Sequence, residues 1–81
     1  MKNKTDAAHQ TEIEMHNMMR NIKKFRLERG CTITQVCEAT HIPRDILESL
    51  ENGILTQEFD IDSFCRLCRF YHKSTSDFLN S

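Results

Sequence analysis

The sequence predicts an all-α fold, one compact domain of five helices with an extended first helix. Three observations point there. The 81 residues include only 2 Gly and 1 Pro, too few turn residues for an all-β chain of this length. Apolar residues recur at helical rather than alternating spacing. Helix-start and helix-stop signatures punctuate the chain at short intervals.

Residues 1–11 show no periodic apolar pattern and read as a flexible N-terminal tail, with the domain proper at 12–81. Thr11 with Glu14 fits a capping box, and Met15, Met18, Met19, Ile22 and Phe25 follow at helical spacing. This predicts helix 1 from Glu12 to Arg29, with Gly30 as its stop. Its other face carries Arg20, Lys23, Lys24, Arg26 and Arg29, the one basic stretch of the chain. Cations near a helix C-terminus are favourable in themselves. The same residues also fit a phosphate-facing patch.

Thr32 with Gln35 forms a second capping box and opens a short helix 2, Ile33 to Thr40. Pro43 starts helix 3, Arg44 to Glu51, with Ile46, Leu47 and Leu50 as its apolar positions and Asn52-Gly53 as its end. Residues 54–59 read as a loop. Asp60 caps helix 4, Ile61 to Tyr71, and His72 stands at its end. Ser74 or Thr75 caps a last turn with Phe78 and Leu79. His41 and His72 fall at helix ends, where His tolerates positive φ better than β-branched residues do.

Composition narrows the function classes. Eleven Lys and Arg against 12 Asp and Glu give a net charge of −1, so the chain is no polycation. No apolar run exceeds two residues, so neither a membrane span nor a signal-peptide core is expected. The expected compartment is the cytoplasm, where the 4 cysteines stay reduced. A chain this short rarely encloses a substrate pocket beside its core, and no nucleophile–base pair or Gly-rich phosphate loop is present. No enzyme activity and no cofactor are therefore expected. Cys65 and Cys68 have zinc-like spacing, but they lie mid-helix, and Cys31 and Cys37 are poorly spaced to complete a set. The four read as small core residues and no metal site is expected.

Two short helices joined by a tight turn inside a small all-α domain make a helix-turn-helix pattern. In it helix 2 braces helix 3 from behind, and the exposed face of helix 3 is free to enter a DNA major groove. The stretch from Ile22 to Leu79 resembles the lambda-repressor-like, or Cro/XRE, helix-turn-helix domain. The carrying residues are Ile22 to Arg26 with Gly30, Thr32, Ile42, Leu47, Leu50, Glu51-Asn52-Gly53, Ile61, Phe64, Leu67 and Ser74. About 58 of the 81 residues are covered.

The resemblance implies a DNA-binding transcriptional regulator, a repressor in the commonest form, dimeric on a two-fold operator in double-stranded DNA. It implies an ion pair between Arg26 and Glu51. It also implies DNA contacts from Thr32, Ile33 and Thr34, from Arg44, Asp45, Glu48 and Ser49, and from Asn52, Thr56 and Gln57. Arg44 would read guanine with both arms of its guanidinium. Phe78 and Leu79 are the dimer contacts it suggests, and the Met-rich start of helix 1 is a second candidate from pattern.

The sequence departs from this family where DNA would lie. Ile33 stands where Gln is usual. Thr32 to Gly53 holds one basic residue, Arg44, against Glu38, Asp45, Glu48 and Glu51. Carboxylates near phosphates mostly repel. An alternative therefore stands beside the first reading: a protein-interaction module on the same fold, with helix 3 or helix 1 binding a protein partner. Ile33, Ile46, Ile54 and Leu55 would supply its apolar patch.

Overall fold

A computed structural model describes residues 2–81, with side chains from His9 onward. The described residues form α1 (Lys2–Arg29), α2 (Ile33–Thr40), α3 (Arg44–Glu51), α4 (Ile61–Tyr71) and α5 (Thr75–Leu79). The fold class is all-α, as the spacing predicts. No described helix is long and apolar enough to cross a membrane.

Local chemistry sets most of the boundaries. Thr32 closes its capping box: its hydroxyl accepts from Gln35 N–H at 3.1 Å, and its own N–H donates to Gln35 Oε1 at 2.8 Å. Ser74 and Asp77 do the same for α5. Asp60 caps α4 by accepting from Ser63 N–H at 2.9 Å. That bond and its companion from the Ser63 side chain hold the Asp60 carboxyl below the ordinary carboxylate range. The helix ends are equally specific. Cys31 N–H reaches Arg26 O, Ile54 N–H reaches Ser49 O and Lys73 N–H reaches Cys68 O, each spanning five residues as in a Schellman close. The left-handed residue this needs is Gly30 (φ 73°), Gly53 (φ 82°) and His72 (φ 56°), respectively. His41 (φ 62°) ends α2 in the same backbone region.

Helix 1 differs from expectation at its start, which is Lys2 and not Glu12. Residues 2–11 contain neither Gly nor Pro, so nothing breaks the helix, and Thr11 lies inside it and not at its cap. Side chains 9–13 are all exposed, and burial begins at Glu14.

The core is a wedge of side chains between α1 and the other four helices. Met18, Met19, Ile22 and Phe25 of α1 face Val36, Leu47, Leu50, Phe64, Leu67 and Tyr71, with Ile42 plugging the α2–α3 turn. Phe78 sits at the centre, fully buried, with Phe25 at 4.9 Å and Phe64 at 5.4 Å, both edge-on. Edge-to-face pairs of this kind add about 0.5–1.5 kcal/mol beyond area burial. This corrects two expectations. Phe78 is enclosed within the monomer and is no dimer contact, and Met18 and Met19 are likewise buried.

A five-residue helix such as α5 has no stability of its own. Buried Asn21 holds it in place, donating to Phe78 O and Asn80 O at 2.7 Å each and to Asp77 O at 3.3 Å. Asn17 adds a bond to Leu79 O at 3.0 Å. The last-turn carbonyls of α5, which no intrahelical donor satisfies, are thus bound by the side of α1.

The four cysteines are free. Cys31, Cys37 and Cys68 pack against the core, half-buried at its margin and not inside it. Ile33 and Ile46 are also half-buried against the core, which removes them from the expected exposed patch. Ile54 and Leu55 are exposed as expected, and among the described residues Ile13, Leu27 and Ile61 are the other large exposed apolar side chains.

Candidate nucleic-acid interface

The α2–α3 unit is built from three local choices. His41 turns the chain sharply, buried Ile42 pins the turn to the core, and Pro43 precedes α3 as its N-cap, with φ fixed at −57° and ψ extended at 144°. Leu47 and Leu50 face inward. Arg44 and Asp45 are left exposed on the opposite side, with Glu48 partly so. Asp45 in the first turn suits the positive end of the helix dipole.

Behind this face lies an ion pair that fixes its angle. Arg26 of α1 grips Glu51 with both arms, Nε to Oε2 at 2.7 Å and Nη2 to Oε1 at 2.8 Å, and its remaining nitrogen donates to Cys31 O at 3.0 Å. The hydrogen bond to Glu51 raises the Arg26 pKa further, so the charge is permanent. The pair expected between these residues is present, and it ties the end of α3 to α1.

The structure joins three of the expected contact residues directly. Arg44 Nη1 donates to Thr34 Oγ1 at 2.6 Å and its Nε to Glu48 Oε2 at 2.9 Å, bridging α2 and α3 across the open face. Ile33, Glu48 and Asn52 share a shallow depression lined also by Lys23. Ser49 is half-buried, and its carbonyl accepts from Asn52 N–H at 3.1 Å and Ile54 N–H at 2.8 Å. The Thr32 hydroxyl serves the α2 cap. Thr56 is half-buried, with its hydroxyl oxygen enclosed. Gln57, exposed in the loop, joins neither the hydrogen-bond chain nor the depression.

Lys23 is the residue that sequence reasoning did not place at this face. It was legible as part of a basic stretch, but its position beside Asn52 is a tertiary fact with no local signal. It brings a positive charge to a face where Arg44 is neutralised by its own helix. The acidic field is felt beneath the surface too. Burial pushes the Cys37 thiol up; nearby Arg44 opposes this, while Glu48, Glu51 and Glu38 add to it.

Chemically, this face offers hydrogen-bonding side chains on an exposed helix, with a cation at its edge. That suits a partner displaying both base-edge acceptors and phosphates. Among the described residues, no group of three or more His, Cys, Asp or Glu is arranged to hold a metal ion.

No curated protein and no solved structure matches the chain. A family model described as helix-turn-helix matches residues 22–78, well over half the sequence, and includes α2, α3 and the Arg26–Glu51 brace. With that match and this geometry, the chain belongs to the Cro/C1-type helix-turn-helix family and is a DNA-binding regulatory domain.

Proposed function

We propose that the domain is a sequence-specific transcriptional repressor that reads the major groove of double-stranded DNA with α3. It acts in the cytoplasm as a homodimer on a two-fold operator, blocking a promoter by occupancy. The observation that carries this reading is the disposition of α3. Leu47 and Leu50 anchor it, Arg26–Glu51 fixes its end, and Arg44 stands exposed on its outer side. Thr32, Ile33, Thr34, Asp45, Glu48, Ser49, Asn52 and Gln57 complete the proposed contact set. Lys23 joins it as a phosphate ligand. Residues 12–81 carry this machinery, and residues 2–11 extend α1 without entering the proposed contact set.

Glu48 has a defined part in this mechanism. It holds Arg44 while DNA is absent. On binding, Arg44 must leave Glu48 for guanine O6 and N7, so part of the recognition energy goes into breaking that pair. Selection of duplexes from a random pool, at low and then higher salt, tests the reading. Enrichment of a palindrome is expected. Arg44→Ala should then cost about 1–3 kcal/mol at the selected site and relax one base position.

One observation favours a second reading, a protein-interaction module. The cation of α3 is paired internally, and the carboxylates of Asp45 and Glu48 flank it. No enrichment at any salt would favour that reading over DNA.

A further inference from the structure

One side of α1, His16 to Glu28, forms one wall of a groove of about 700 Å³, and the end of α3 forms the other. Exposed Leu27 gives it an apolar surface above the buried side chains of Met19 and Leu50, and Arg20, Lys23 and Lys24 line it with cations. Two carboxylates also border it, but Glu51 is already held by Arg26, which leaves Glu28 against the three cations. Leu27 is 58% exposed, an apolar side chain left in water.

We infer that this groove docks an acidic amphipathic helix from a protein partner. Two features select that chemistry together. The cationic wall calls for a polyanion. The apolar surface calls for a partner with aliphatic side chains to bury there, which a sugar-phosphate backbone lacks. A helix with Leu or Met at positions i, i+3 and i+7, flanked by Glu or Asp, meets both demands. The length fits as well: His16 to Leu27 along α1 is about 17 Å, or three helical turns of a partner lying alongside. The groove shares Lys23 and Asn52 with the proposed DNA face but not Arg44, Thr34 or Glu48, and its apolar side chains take no part in that face.

A phage-displayed library of helical 15-residue peptides, selected against the full chain, tests this. The expected winners are acidic with a single apolar stripe. They should shift the amide resonances of Met19 to Leu27 and of Leu50 to Gly53. They should bind at least tenfold more weakly to Lys24→Glu and several-fold more weakly to Leu27→Ser. Both substitutions are at exposed positions, and a native amide spectrum verifies the fold of each variant. Four results would overturn the inference. The winners could be basic or neutral, or their affinity could be unchanged in both variants. The shifts could centre on Arg44 and Glu48. Or the chain alone could show concentration-dependent shifts in the groove, which would assign it to a second copy.

Discussion

Arg26–Glu51 and Arg44–Glu48 are both closed by an Nε donor, at 2.7 Å and 2.9 Å. The first pair has side chains 12% and 5% exposed; the second, 59% and 45%. Similar lengths thus conceal unequal roles. A nearly buried pair cannot lose one member without stranding a charge in a low-dielectric setting. An exposed pair exchanges readily with water and with any better ligand. The domain uses the same chemistry once as a brace and once as a releasable contact, and solvent access separates the two.

The largest expected effect comes from breaking the brace. Arg26→Ala should destabilise the domain by about 3–5 kcal/mol in chemical denaturation, because Glu51 is left charged and enclosed. A loss below about 1 kcal/mol would erase the distinction between the two pairs. Asn21→Ala comes next. It removes the donor shared by two α5 carbonyls and that of the C-cap Asn80, and should cost about 1–3 kcal/mol. Hydrogen exchange should show α5 loosening before the rest.

Arg44→Ala and Glu48→Gln sharpen the contrast from the other side. Each should change stability by no more than about 0.5 kcal/mol, since the pair is exposed. Glu48→Gln should strengthen DNA binding by freeing Arg44 and removing a repelling carboxylate. A weaker complex in a filter-binding or anisotropy titration would contradict the role given to Glu48.

The smallest effect concerns the caps. The carboxyls of Asp60 and Asp77 are held below their ordinary pKa by N–H donors of Ser63 and Ser74. Their contribution is therefore complete above the unfolded carboxylate pKa of about 3.9 and is lost as pH falls through the lower folded value. Asp60→Asn keeps a good cap but cannot titrate. It should leave the midpoint of thermal unfolding nearly unchanged at pH 7 and flatten its decline in acid. An unaltered acid slope would remove Asp60 from the account.

What the sequence made legible was mostly local. The bounds of α2, α3, α4 and α5 follow from Thr32, Pro43, Asp60 and Ser74, and from turn residues at 41, 52–53 and 72. The beginning of α1 was not legible, because residues 2–11 are polar without being helix-breaking. Burial of Ile33, Ile46 and Phe78 depends on which neighbours arrive from other helices, and periodicity alone does not supply that. The Arg26–Glu51 pair was legible only through the family resemblance, since 25 residues separate its partners. At the interface, Arg44 could be singled out by charge. Its ties to Thr34 and Glu48, and the nearness of Lys23 to Asn52, are properties of the assembled helices.

The two histidines that close α2 and α4 carry a quieter implication. Any side chain with a Cβ sits uneasily at φ 62° or 56°, at a cost of about 1–2 kcal/mol per residue. Glycine would sit there without that penalty, while losing about 0.5–1 kcal/mol through its freer unfolded chain. The domain therefore lies below its own stability ceiling at two of its corners, and resilience remains in reserve there without touching the core or either binding surface.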